Sequence, residues 1–219
     1  MQNKEILLKL WLKVEGELPN VSHETFEGLF RYIECLLKWN KSFNLVSKHY
    51  NDDVKKLWAE QILPCLNLYH FIKERDYKGC KIIDLGSGAG LPGLILAILG
   101  IKGILTVDRR NKKINFQQYI IRELNLTNRV EARCDDIKSV ARSEEKTLIV
   151  SKAVADSAEI INLTQHLLKP RDQILLLKNQ SQFSEINKIN QELFDTSSHT
   201  NIFNNKDNIF QLQFKSADD

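Results

Sequence analysis

The residues from Ile82 to Gly93 put one acid and four glycines where chemistry needs open backbone. An apolar run ends at Asp84, then Gly86, Gly88, Gly90 and Gly93 arrive within eight positions, and a new apolar run starts at Leu94. This order predicts a buried strand, a tight turn without bulky side chains, and a helix start. Glycine accepts positive φ and lets a ligand approach the main chain closely. Pro92 suits a first helical turn, where its missing N–H is no loss. The N–H groups beyond it are open to an anionic ligand group. Asp84 ends the strand, at the edge where open α/β sheets hold ligands.

Two cofactor patterns overlap here. Gly88-Ala89-Gly90-Leu91-Pro92-Gly93 fits the dinucleotide pattern G-x-G-x-x-G. Asp84 to Gly90 instead resembles the S-adenosylmethionine loop of Rossmann-like methyltransferases, Asp-x-Gly-x-Gly-x-Gly. The dinucleotide pattern wants its first glycine close behind the strand. Here the turn already begins at Gly86, two residues before Gly88, which favours the second pattern. A turn that binds nothing would carry four costly glycines without return. The expected cofactor contacts of this loop are Asp84, Gly86, Ser87, Gly88, Gly90 and Leu91.

Other polar positions fall at predicted strand ends. Asp108 comes 24 residues after Asp84 and can accept hydrogen bonds from both hydroxyls of a ribose. It can equally cap the next helix. Arg109, Arg110, Lys112 and Lys113 follow in a predicted first helical turn, where cations oppose the helix dipole. Their presence suits a phosphate-rich partner, or else a solvated charged face. Cys134 and Asp135 follow the third strand and could face an adenine ring. Asp136 reads as a contact or as a helix cap. Lys152 and Lys178 end the fourth and fifth strands in otherwise apolar runs. Both are expected to point into a cleft and form a basic rim, or to snorkel to the surface.

The hydrophobic pattern divides into two parts. Residues 1–75 read as helices: Ile6, Leu7, Leu10 and Val14 share one face, and Phe26, Leu29, Phe30, Ile33, Leu36 and Leu37 another. A third helix is expected from Asp53 to Ile72, bent or broken at Pro64. Lys73 to Gly79 reads as a linker. From residue 76 the pattern alternates. Strands are expected at 80–85, 103–108, 129–133, 146–151 and 172–178, and helices at 92–99, 111–124, 136–143, 156–168 and 182–194. Alternation of this kind makes a parallel sheet with right-handed crossovers. Ser198 to Phe203, a polar turn from Asn204 to Asn208, and Ile209 to Lys215 read as a closing antiparallel hairpin. The expected fold class is therefore α/β, a Rossmann-like methyltransferase sheet behind an N-terminal helical extension.

The bulk numbers set limits. The 219 residues fit one domain with an extension, and 42% hydrophobic residues suffice for a core. Net charge is only +3, so binding to nucleic acid requires a local patch. The four cysteines, Cys35, Cys65, Cys80 and Cys134, are scattered and read as reduced thiols. No His or Cys spacing suggests a metal. The first seventeen residues mix Lys and Glu with apolar residues and read as neither signal peptide nor membrane span.

With these pieces in place, the chain resembles the bacterial small-subunit (16S) ribosomal RNA guanine-N7 methyltransferase family, also called glucose-inhibited division protein B. The likeness runs from Trp39 to Lys178. Its pieces are Trp39-Asn40-Lys41 with Phe43-Asn44-Leu45, the loop Asp84 to Gly93, Asp108 with Asn111-Lys112-Lys113 and Phe116, Ser151-Lys152-Ala153-Val154, and Leu167-Leu168-Lys169-Pro170 leading to Leu177-Lys178. The resemblance implies S-adenosylmethionine as cofactor, held by Gly86, Leu91, Cys134, Asp135 and Lys152, with Asp108 on the ribose. It implies 16S ribosomal RNA of the small subunit as substrate, with Arg109, Arg110, Lys112, Lys113 and Lys178 facing RNA. Lys152 is the candidate for a catalytic role. A monomeric cytoplasmic enzyme with no metal and no membrane contact is expected. Several positions depart from the family. Its Arg at the fourth strand is Lys152 here. Its segment Arg-His-Ile-Leu-Asp-Ser-Leu carries Glu60, Gln61, Pro64 and Cys65 instead. Arg171-Asp172 replaces a Gly-Gly pair. Three other readings stay open: a methyltransferase of another RNA, a protein or a small molecule, a nicotinamide-dependent oxidoreductase, and a non-catalytic RNA-binding factor.

Overall fold

Apolar residues spaced three and four apart build the first helices of this computed structural model, which describes residues 2–75, 77–152, 156–179, 182, 189–204 and 207–215. Helix α1, Gln2–Trp11, buries Leu7 and Trp11. Helix α2, His23–Phe43, starts at a capping box between Ser22 and Thr25 and ends where Asn44 turns left-handed at φ 44°. Its apolar stripe, Phe26, Leu29, Ile33 and Leu36, is buried throughout. Asp53 caps the short helix α3, Val54–Leu57, by accepting from the Lys56 N–H at 2.9 Å. A π-helical turn over Trp58–Ile62 then leads into α4, Leu63–Lys73. The expected helix over 53–72 is thus interrupted at Pro64, as its missing N–H requires, but the break takes the form of a widened turn just before it.

The alternating half forms a seven-stranded sheet. Its strands are β1 Lys81–Leu85, β2 Ile104–Asp108, β3 Val130–Cys134, β4 Thr147–Lys152, β5 Gln173–Asn179, β6 Phe194–Thr200 and β7 Asp207–Phe214. The order is β3-β2-β1-β4-β5-β7-β6. Strands β1 to β5 pair in parallel, while β7 runs antiparallel to β5 and β6 antiparallel to β7. Chain order reverses between β1 and β4, and β1 sits in the middle of the five parallel strands. The parallel α/β sheet with its closing hairpin is the architecture expected from the pattern.

Strand alternation sorts the core into two layers. Ile82, Ile104, Leu148, Val150, Leu175 and Leu177 point to the face covered by the N-terminal helices and α5, Gly93–Ile98. Ile83, Leu85, Leu105, Val107, Ile149, Ile174 and Leu176 point to the other face, with Ile160 of α7, Ser157–Thr164. Helix α6, Asn111–Glu123, packs Phe116 and Ile120 on the first face. Leu29 and Leu36 of α2 belong to that same layer.

Four local expectations are corrected. The helix expected over 136–143 is only a 3₁₀ turn at Ile137–Ser139, because Asp136 caps Lys138 N–H and its carbonyl takes the Ser139 hydroxyl. The helix expected over 156–168 closes at Thr164 and finishes as a 3₁₀ turn. The helix expected over 182–194 falls largely outside the described residues. Its last part is a turn leading into β6, which starts at Phe194 rather than Ser198. The connection between the two strands is displaced accordingly, since β6 ends at Thr200 and β7 begins at Asp207.

Candidate cofactor-binding site

Strand β1 delivers Asp84 to the sheet's carboxyl edge with no exposed surface. Its Oδ2 accepts from the Gly93 N–H at 2.7 Å, tying the strand end to the start of α5. Its Oδ1 has no hydrogen-bond partner among the described residues. Burial pushes this carboxyl up to about 7, against the lowering effects of the Gly93 N–H and the Lys152 ammonium. Gly93 has no room for a side chain: a Cβ would lie 2.6 Å from Thr106 Cγ2 and 2.8 Å from Asp84 Oδ2. That close packing explains the last glycine of the loop.

The loop between them is left-handed at Gly86 (φ 66°), Gly88 (φ 56°) and Gly90 (φ 85°). Two side chains brace it from outside. Gln117 of α6 donates to Ser87 Oγ and to the Gly88 carbonyl, each at 2.8 Å, while its Oε1 accepts from Thr106 Oγ1 at 2.6 Å. Tyr32 of α2 donates to the Ala89 carbonyl at 2.9 Å. The Gly86 and Ser87 N–H groups donate to the Val107 carbonyl and those of Gly90 and Leu91 to the Ser87 carbonyl, so the loop is held in shape beside a cleft.

That cleft has a volume of about 540 Å³ and is lined by Gly86, Ser87, Gly88 and Leu91 on one wall. Asp108, 9% exposed, forms the next wall. Its Oδ2 accepts from the Gly88 N–H and its Oδ1 from the Arg110 N–H, both at 2.9 Å. Each oxygen is thereby aimed, and each keeps a lone pair for a ligand hydroxyl. Lys113 sits beside it, 3.9 Å from Oδ2, and burial lowers its pKa while Asp108 opposes that shift. Asp135 and Ile137 supply the far end, and Lys152 the opposite wall.

Leu45, Val46, Ser47, Tyr50 and Gln61, in or beside the N-terminal helices, also line the cleft. Asn40, fully buried, staples that segment. Its Oδ1 accepts from the Val46 N–H at 2.9 Å and its Nδ2 donates to Asn51 at 2.8 Å. This gives Trp39-Asn40-Lys41 a physical purpose.

Most predicted positions converge here. Gly86, Ser87, Gly88, Leu91, Asp108, Arg109, Arg110, Lys113, Asp135 and Lys152 all line the cleft. Asp84 and Gly90 do not; they shape the loop from beneath, Gly90 through a turn where a Cβ would meet Leu94 at 2.4 Å. Cys134 pairs with Asp108 across β3 and β2 but is exposed outside the cleft. Lys112 lies on the exposed surface, its ammonium 5.9 Å from the Phe43 ring centroid. Arg109 forms an ion pair with Asp136 at 2.7 Å, and Asp136 is also the cap of the 3₁₀ turn. Lys178 contradicts expectation. It is 4% exposed and does not join a basic rim. Strand alternation explains this: Lys152 follows Leu148 and Val150 on one face, while Lys178 follows Ile174 and Leu176 on the other. Ala153 and Val154 lie outside the described residues.

Sequence reasoning missed Gln117, Tyr50 and Glu159, the last also a cleft residue. Gln117 left a signal, since it interrupts the apolar stripe of Ile114, Ile120 and Ile121 with an amide that must find partners inside. Among the described residues no helix is long and apolar enough to cross a membrane, and no cluster of three or more His, Cys, Asp or Glu side chains is placed to hold a metal ion.

The fold has relatives among solved structures. One is magnesium protoporphyrin IX methyltransferase from Synechocystis PCC 6803, at TM-score 0.58 and 14% identity over 90% of this chain and 99% of that one. Sequence relatives are nearer. A ribosomal RNA small subunit methyltransferase G from Ruthia magnifica is 32% identical over 80% of this chain and 82% of its own length. One from Mesoplasma florum is 33% identical over 80% of this chain and 73% of its own. The profile of the family described as rRNA small subunit methyltransferase G matches residues 25–211. The chain belongs to that family, and with it to the S-adenosylmethionine-dependent methyltransferases of ribosomal RNA.

Proposed function

We propose that this chain methylates N7 of a guanine in 16S ribosomal RNA, with its cofactor bound in the cleft between the glycine loop and Asp108. The observation that carries this reading is the Asp108 carboxylate. Two backbone N–H groups orient it beside open glycine backbone, an arrangement suited to a ribose. S-adenosylmethionine supplies a sulfonium methyl group when bound. Gly86, Ser87 and Gly88 offer backbone at its edge, Asp108 suits the ribose hydroxyls, Asp135 the adenine, and Lys152 the carboxylate of its amino-acid end.

Guanine N7 carries a lone pair and no proton, so the chain has no base to supply. Its work is alignment of two reactants and exclusion of other geometries, which is worth many orders of magnitude in effective concentration. Among the described residues the cleft is lined by no His or Cys. Exposed Arg109, Arg110 and Lys112 beside the mouth suit RNA phosphates, and the half-exposed ring of Phe43 beside Lys112 suits an unpaired base.

Calorimetric titration with S-adenosylmethionine tests the site. The unchanged protein should bind, and Asp108→Ala should bind at least about tenfold more weakly, from loss of charge-assisted bonds. Equal affinity would overturn the placement.

A further inference from the structure

Glu60, Gln61, Pro64, Cys65 and Lys152 are far apart in the chain or differ in chemistry, yet the fold joins them into one device. Pro64 has no N–H, so the Glu60 carbonyl loses the donor it would meet four residues on. The helix widens instead, and the Leu63 N–H reaches back five residues to the Trp58 carbonyl. The next carbonyl, that of Gln61, accepts from the Cys65 thiol at 3.1 Å. Burial pushes that thiol up to about 12, so it stays a donor.

The widened turn sends the Gln61 side chain into the cleft. Lys152 Nζ donates to Gln61 Oε1 at 2.6 Å. Gln61 Nε2 donates to the Tyr50 hydroxyl at 2.8 Å, and that hydroxyl donates to Glu60 Oε2 at 2.8 Å. The direction of every bond is forced. An ammonium only donates, so the amide oxygen must face Lys152 and the amide nitrogen must face Tyr50. Tyr50 then turns its proton to a carboxylate, the strongest acceptor in reach. Tyr50, Gln61 and Lys152 all line the cleft.

We propose that Gln61 is a positioning residue. With Tyr50 and Glu60 behind it, Gln61 fixes the Lys152 ammonium on the cleft wall and so sets affinity for the carboxylate end of the cofactor. The inference rests on the assignment of the cleft to S-adenosylmethionine. It adds three residues that act through Lys152 rather than on the ligand.

The test is a double-mutant cycle read by calorimetric S-adenosylmethionine affinity and by steady-state kinetics on ribosomal RNA. Gln61→Ala should raise Kd and KM for the cofactor about tenfold and leave kcat within about twofold. Gln61→Glu keeps an oxygen for Lys152 but loses the N–H that faces Tyr50 and pairs the ammonium with a competing carboxylate, so it should not restore the affinity. In a Lys152→Ala background, Gln61→Ala should add less than about twofold, because its only route of action is gone. If Gln61→Ala does not fold, Tyr50→Phe breaks the same string one bond further back. It should weaken cofactor binding about threefold in the natural background and not at all beside Lys152→Ala. Unchanged affinity in Gln61→Ala, or penalties that add in the double variant, would overturn the inference. A natural chain that binds no S-adenosylmethionine would overturn the functional reading itself, and this inference with it.

Discussion

Single atoms decide the two ends of the glycine loop. Gly88 stands at φ 56°, where a β-branched residue is strained, and a Cβ there would lie 3.4 Å from Lys113 Nζ. Gly88→Val should abolish S-adenosylmethionine binding while the domain still unfolds cooperatively on heating; full-strength binding would show that the loop backbone does not approach the ligand. Asp84 makes a different prediction. Burial raises its folded pKa to about 7, whereas the unfolded chain ionises near 3.8. Below the lower value both states carry the proton. Between the two values only the folded state does, so stability falls as pH rises through this window and levels off above it. Asp84→Asn should remove that part of the slope, measured by denaturant unfolding at pH 4, 5.5 and 7. A slope identical to the natural chain's would mean that Asp84 ionises normally.

Elements set those atoms in place, and here sequence legibility was uneven. The strands were readable because each ran apolar between turn residues, so β1, β2, β4 and β5 fell within a residue or so of expectation. The closing hairpin was readable in kind and misplaced in register, since β6, from Phe194 to Thr200, is mostly polar and only partly buried. Asp84, Asp108 and the glycines were legible from local spacing. Gln61, Tyr50 and Asn40 were not legible as site residues, because their meaning depends on which segment the N-terminal helices lay across the sheet edge. Lys178 was misread because strand alternation, correctly applied from Ile174 onward, puts it on the face opposite Lys152. Gln117 shows how one helix holds another element in order. Gln117→Leu would leave the Thr106 hydroxyl and the Ser87 hydroxyl without their buried partner. It should lower stability by about 1–3 kcal/mol and weaken cofactor binding together. A stability change without a binding change would separate the brace from the site.

At the scale of the molecule the question is how a chain of net charge +3 engages RNA. The answer lies in placement rather than total. Arg109 and Lys112 are exposed at the start of α6, beside the cleft mouth, and Phe43 is 41% exposed next to Lys112. The paired change Arg109→Ala and Lys112→Ala should weaken RNA binding and flatten its salt dependence by roughly 1.4 in logarithmic slope on single-stranded RNA. S-adenosylmethionine affinity should move less. An unchanged salt slope would move the RNA face elsewhere. The measurement that bears most directly on the whole account is transfer of labelled methyl from S-adenosylmethionine to small ribosomal subunits and to their deproteinised RNA, both from cells lacking this protein. Label is expected in guanine N7 of 16S ribosomal RNA. Label in another base, or no label from a protein that binds the cofactor, would contradict it.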